Sequence, residues 1–308
     1  IEVLHSLQTT PQERDCLLSA PKEHVDPAEV VLYLGCNVMR NAHLVRTAVD
    51  VFKLLDVDFV TVGGGSYCCG IQHFQNGDAE SANAMAKSTV KNFQKFQPEQ
   101  VVMWCPSCIY FYDEVMEMRE DFSFQHVTQF LVENLHKLSF RQQVEQKVAL
   151  HYHTGRPQSD EEARCAMKLL SMVPGVELID VGTDPRLGRH CTGRVREQVG
   201  TQEWDDMVAD SFRRAVEAGV DTYATLYHGC HRILCGHEQD YPLKVEHYLT
   251  VVGRALGIEH EDLFKKYAMM GDAEAIFAET SPCAQASGVT AEEAQTLIQK
   301  NFVEKKVF

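Results

Sequence analysis

Five cysteines fall in a pattern suited to a metal assembly: Cys36, an adjacent pair Cys68-Cys69 followed by Gly70, and Cys105-Pro106-Ser107-Cys108. Thiolates are soft ligands that select iron–sulfur clusters, zinc or copper(I). Five is one more than a tetrahedral zinc ion or a cubane cluster requires. Side chains of consecutive extended residues diverge, so an adjacent pair does not easily serve one small ion. A larger, asymmetric iron–sulfur assembly would use both.

The elements that must position these thiols follow from hydrophobic patterning. Short apolar runs at 30–34, 59–62 and 101–104 alternate with helical stretches at 41–55 and 78–96. The same order returns with runs at 148–152, 176–181 and 222–226 and helices at 160–171 and 204–218. Alternating strands and helices imply crossover units and mostly parallel sheets. The interval from Cys69 to Cys108 equals that from Cys191 to Cys230, which sets the register of an internal repeat. The expected architecture is α/β: two tandem repeated domains with mostly parallel sheets, related by a pseudo-two-fold, an N-terminal arm and a helical C-terminal tail. The expected boundaries are 1–29 for an extended arm, 30–142 and 143–256 for the two domains, and 257–308 for an acidic helical extension. Cys36 and Cys105 each follow a strand, where open α/β sheets place their sites.

The motif Cys36…Cys68-Cys69-Gly70…Cys105-Pro106-Ser107-Cys108 resembles the cysteine-rich CCG domain, which occurs in tandem in the B subunit of heterodisulfide reductase. The resemblance covers about 30 to 256 and is specific in the first copy. It implies a noncubane [4Fe–4S] cluster held by Cys36, Cys68, Cys69, Cys105 and Cys108. Gly70 would let the backbone approach the cluster, and Pro106 would fix the turn between the last two thiols. It also implies an oxidoreductase subunit that reduces a disulfide or relays electrons. The chain lacks a ferredoxin-type cysteine run and a dinucleotide fingerprint, so flavin- or ferredoxin-type partner subunits in a hetero-oligomer are expected.

The second copy departs from the motif. It reads His190-Cys191-Thr192-Gly193 at the adjacent-pair position, Tyr227-His228-Gly229-Cys230 at the CxxC position, and Tyr152-His153-Thr154-Gly155 near the first strand. A second five-thiolate cluster is not expected there. Cys191, Cys230, His153 and one of His190 or His228 form a donor set for zinc. A modified iron–sulfur centre with imidazole ligands and a metal-free pocket whose histidines move protons are the alternatives. Arg156, Arg186, Arg189 and Arg194 gather near this copy and would suit a carboxylate or an acidic partner. His126 and His247 are expected to cap or pack, and Cys165 and Cys235 to be core thiols.

Bulk properties narrow the remaining choices. The net charge of −15 over 308 residues argues against nucleic acid or an anionic membrane surface as partner. No apolar run is long enough to span a bilayer, and no signal peptide is evident, which predicts a cytoplasmic protein. The chain opens at Ile1 rather than methionine, so N-terminal residues are expected to precede it. A zinc-stabilised, non-redox scaffold subunit is the main alternative function, although zinc leaves one thiolate unused. Direct thiol–disulfide chemistry at Cys105 and Cys108 is a third reading.

Overall fold

The computed structural model describes residues 4–118, 120–184, 186 and 193–304. Two four-stranded sheets, all parallel, form its framework. The first contains β1 (Val30–Gly35), β2 (Phe59–Gly63), β3 (Gln100–Met103) and β4 (Ser123–His126), in the order β2-β1-β3-β4. The second contains β5 (Gln146–His151), β6 (Val176–Leu178), β7 (Thr222–Thr225) and β8 (Lys244–His247), in the order β6-β5-β7-β8. The identical order bears out the internal repeat and the α/β class.

Strand alternation divides the first half between two cores. Val30, Leu32, Leu34, Val102 and Trp104 join a large core that also contains most buried residues of the second half. Val31, Tyr33, Val101 and Met103 point the other way, into a smaller core with Phe93 of the helix Ala79–Gln94 and with Cys69 and Cys108. Period-two geometry produces this division directly. Residues buried on both faces of a parallel sheet read as continuous apolar runs, and that is why β1 was visible in sequence.

Two strands were not. β4 and β8 have no counterpart in the apolar runs read from sequence; each is a four-residue edge strand whose last residue, His126 or His247, caps the helix that follows. Their polar or charged outer residues hide the pattern. β6 also ends at Leu178, short of the expected 181. The arm ahead of β1 is folded rather than extended. Leu4 and Leu7 are fully buried, and a helix spans Pro11–Leu17 with Thr10 accepting from the Glu13 N–H as its N-cap. It packs on its own chain: Gln8 Nε2 donates to the Arg40 carbonyl, and Arg14 donates to Ser287 Oγ of the C-terminal extension.

Three helices form that extension: Leu263–Met270, Ala273–Ala286 and Ala291–Ile298. Phe264, Ile276, Ala294 and Ile298 sink into the large core. The expected capping box is present, Thr290 Oγ1 accepting from the Glu293 N–H while Glu293 accepts from the Thr290 N–H. No described helix is long and apolar enough to cross a membrane.

Candidate metal centre

In the first sheet the chain passes from β1 to one neighbour, β2, and later from β3 to the opposite edge. The strand order therefore switches direction between β1 and β3, which opens a crevice beyond their carboxyl ends. Cys36 follows β1 directly, and beyond β3 Cys105 caps the short helix Pro106–Ile109 that carries Cys108. The loop bearing Cys68 and Cys69 is drawn over the same crevice. Tyr33 Oη donates to the Tyr67 carbonyl at 2.6 Å and Thr89 Oγ1 donates to the Cys68 carbonyl at 2.9 Å, both bonds buried. These fix the backbone that carries the pair.

The five sulfurs form one continuous string. Cys36 Sγ lies 3.8 Å from Cys68 Sγ, and Cys108 Sγ lies 3.3 Å from Cys69 Sγ. The free thiols of Cys68 and Cys69 also interact, as do those of Cys105 and Cys108. Backbone donors converge as well: the Gly70 N–H on Cys68, the Ile71 N–H on Cys69, and the Ser107 and Cys108 N–H groups on Cys105.

Their mutual contacts pull Cys68 and Cys105 down in pKa and leave Cys36, Cys69 and Cys108 raised. Bonds from Cys36 and Cys69 hold the Cys68 thiol well below its ordinary value, and the bond from Cys108 does the same for Cys105. Cys36 is pushed up by its bond to Cys68 and by burial, and Cys108 by its bonds to Cys105 and Cys69 and by burial. The Cys108 bond pulls Cys69 down, but the Cys68 bond and burial outweigh it, leaving Cys69 up at about 12. Without a cation, burial and mutual repulsion oppose ionising all five at once. Cationic iron or another soft metal is what permits all five to ionise together. The donor set therefore fits such a group.

The second half presses directly on this crevice. Arg232 Nη1 donates to the Asn37 carbonyl and to Asn41 Oδ1, and Nη2 to Asn37 Oδ1, each at 3.2 Å. Burial lowers its pKa to about 9, so it stays protonated at neutral pH beside the Cys36 loop. Trp104, the residue before Cys105, donates from Nε1 to His228 Nδ1 at 3.2 Å and stacks on His247 with ring centroids 5.3 Å apart. Sequence reasoning found neither Trp104 nor Arg232, because each takes its meaning from a partner more than a hundred residues away.

The equivalent crevice of the second sheet lies between β5 and β7. The Trp104 N–H bonds to the Tyr33 carbonyl and the Leu226 N–H to that of His151. This register puts Tyr227 in the place of Cys105, Cys230 in that of Cys108, and His151 in that of Tyr33. His151, His153 and Cys230 bring one donor atom each within 4.8 Å of one another. Cys230 Sγ lies 3.2 Å from His153 Nε2, and His151 Nδ1 lies 3.4 Å from Tyr223 Oη. His151 Nε2 is buried with no hydrogen-bond partner among the described residues, so the set fits a zinc-type ion. His151 was missed in sequence, though its position two residues before His153 puts both on one face of an extended strand end. Of the other expected ligands, His228 is turned to Trp104, and His190 and Cys191 lie outside the described residues. Tyr227 Oη instead donates to buried Glu162 at 2.5 Å.

The remaining residues of interest are placed as follows. Arg156 lies over the Tyr110 ring at 4.3 Å, and Arg186 pairs with Asp184 and Glu203. Arg189 and the Arg194 side chain lie outside the described residues. Cys165 and Cys235 are buried thiols. His126 and His247 are N-caps whose Nδ1 atoms accept from the Thr128 and Leu249 N–H groups.

Burial lowers the pKa of both capping histidines, with neighbouring histidines adding to the effect at His247. Each is neutral when folded and titrates near 6.5 when unfolded. Their stabilisation is therefore complete above about pH 6.5 and is lost as pH falls below it, by about 1.4 kcal/mol per pH unit for each residue. Urea unfolding at pH 7.5 and 5.0 is expected to show this loss. His247→Asn, which keeps a capping side chain, is expected to shallow the slope by one residue's share; an unchanged slope would show that His247 does not carry it.

Residues 30–111 match the family model of the cysteine-rich CCG domain. The match ends three residues beyond Cys108 and takes in all five thiols. This match over the first domain, with the grouped thiols and the His151, His153 and Cys230 set, fits a metal- or iron–sulfur-binding, redox-type subunit. No curated protein matches the chain significantly.

Proposed function

We propose that this chain is an iron–sulfur redox subunit of a heterodisulfide reductase-like complex. Cys36, Cys68, Cys69, Cys105 and Cys108 would hold a noncubane [4Fe–4S] cluster in the first α/β domain, 30–142. The second domain, 143–256, would hold a zinc-type ion or none at His151, His153 and Cys230, with the helices of 257–308 buttressing both. The observation that carries this reading is the unbroken string of five sulfurs at the strand switch. Four ligands complete a tetrahedral ion or a cubane, so the fifth supports a larger assembly.

Bound there, the cluster would supply electrons to a disulfide or pass them to another carrier. Cleaving a disulfide to two thiols consumes two electrons and two protons. The electrons would enter from a flavin- or ferredoxin-type partner, consistent with a chain that has no nucleotide fingerprint of its own. The polypeptide's share is to position and to tune. Backbone N–H groups on Cys68, Cys69 and Cys105 and the buried Arg232 guanidinium stabilise negative charge in the crevice. The apolar wall of Tyr33, Tyr112 and Phe111 limits water on the opposite side.

Iron, acid-labile sulfide and zinc measured on anaerobically purified protein test this directly, with an EPR spectrum after mild oxidation. About four iron per chain is the expected result. Zinc alone, after controlled reconstitution with iron and sulfide, would overturn the redox reading in favour of a zinc-stabilised scaffold.

A further inference from the structure

A third convergence of donors forms where three distant segments meet, one of them the helix that also carries Cys230. His43 stands on the helix Ala42–Leu54 of the first half, His231 on the helix His228–Leu234 of the second, and Asp262 at the head of the C-terminal extension. One donor atom from each lies within 4.8 Å of the others. His231 Nε2 is 2.5 Å from Asp262 Oδ2, and His43 Nδ1 is 3.2 Å from Asp262 Oδ1. The imidazole rings sit 5.5 Å apart at 62°.

Hydrogen bonding accounts for His231 Nε2 on Asp262 but leaves His43 unexplained. His43 is 1 % exposed, yet neither of its ring nitrogens has a hydrogen-bond partner among the described residues, because the Asp262 contact is out of line with the N–H. A buried polar group left in that state is destabilising. A neutral imidazole offers a lone pair, and burial does keep His43 neutral, pulling its pKa down to about 3. Burial alone would raise the Asp262 carboxyl, but His231 beside it and the Lys265 N–H hold it below its usual range, so it is an anion at neutral pH. Nearby cations already have partners: Lys265 with Glu238, Arg254 with Glu246, and Arg46 with Glu13.

We propose that His43, His231 and Asp262 form a metal site for a divalent transition ion of the Zn²⁺ type, which ties the C-terminal extension to both α/β halves. Two imidazoles and a carboxylate suit such an ion, with water as a fourth ligand. Asp262 lines a surface cleft of about 420 Å³ together with Thr47, Glu246 and Lys265, which gives ion and water a route in. Ligand atoms on a tetrahedral zinc stand about 3.3 Å apart, given bonds of about 2.0 Å. The His43–Asp262 spacing already matches, and the His231 contact must open slightly. The site is independent of the iron–sulfur reading and of the Cys230 group.

Cobalt(II) is the probe. Chelator-treated, iron-loaded Cys230→Ser protein is expected to bind one further Co²⁺, whose difference spectrum against the cobalt-free protein shows visible d–d bands and no added thiolate charge transfer in the near ultraviolet. Its unfolding temperature should rise with the metal. Asp262→Asn, placed on this background, retains a good N-cap residue and so should fold. It is expected to lose both the bands and the metal-dependent shift while keeping its iron. Two results would overturn the proposal: no sulfur-free Co²⁺ spectrum in the Cys230→Ser protein, or the same spectrum and shift surviving in Asp262→Asn. Loss of iron alone would bear on the cysteine centre and leave this site standing.

Discussion

Cys69→Ser protein is expected to emerge from anaerobic purification almost free of iron and acid-labile sulfide, and without the visible absorption they confer. Cys69 occupies the middle of the sulfur string, bonded to Cys68 on one side and to Cys108 on the other. It is 2 % exposed, so no water can take its place cheaply. A serine hydroxyl is a hard donor that stays protonated near neutrality, whereas the site selects soft anions. Changes merely adjacent to metal ligands cost roughly 10–100-fold in affinity, and loss of a central ligand should exceed that. Disulfide-reducing or electron-transfer activity should fall with the iron. Cys165→Ser is the matched control, since Cys165 is equally buried but lies on the helix Pro157–Ser171 with its thiol toward Glu161. It should keep full iron. Equal iron in Cys69→Ser and wild type, with intact circular dichroism, would refute the ligand assignment.

Gly70→Ala should be costly for both the fold and the centre. Gly70 has φ +86°, in the left-handed region, where a side chain costs about 1–2 kcal/mol. A Cβ there would also stand 2.7 Å from the Ala82 carbonyl oxygen and 3.0 Å from its Cα, both backbone atoms of the helix Ala79–Gln94. Overpacking of this kind adds about 1–3 kcal/mol. The backbone must shift, and the Gly70 and Ile71 N–H groups that donate to Cys68 and Cys69 shift with it. A fall of about 2–5 kcal/mol in unfolding free energy and a partial loss of iron are expected. Gly271→Ala separates the two causes, because Gly271 is also left-handed, at φ +63° and ψ 3°, but has open space around its Cβ position. It should show the smaller, conformational cost alone. Equal losses in the two variants would mean that close approach to Ala82 plays no part.

By itself the sequence determined the repeat, the α/β class and the five-thiol string. Each depends on short-range pattern: apolar runs of doubly buried strands, cysteines placed just after them, and equal intervals between Cys69–Cys108 and Cys191–Cys230. It also marked His126 and His247 as caps, since capping is decided within a few residues. The folding of the N-terminal arm was hidden because Leu4 and Leu7 find their burial on other parts of the chain. The short edge strands β4 and β8 were hidden because side-chain burial there is set by neighbouring elements and leaves no clean period.

Tertiary structure alone decided what surrounds the sulfurs and what each histidine does. His153 and Cys230 were recognisable as donors, but His151 joined them only when β5 and β7 paired in register. His228 left that group because Trp104, from the other half, supplies its hydrogen bond. Asp262 looked like one acidic residue among many in the C-terminal extension, and only packing brought it against His43 and His231. The physical reason is common to these cases. A strand's period or a helix cap is settled by covalent neighbours, whereas a buried donor's chemistry is settled by whichever distant group the fold holds within about 3 Å of it.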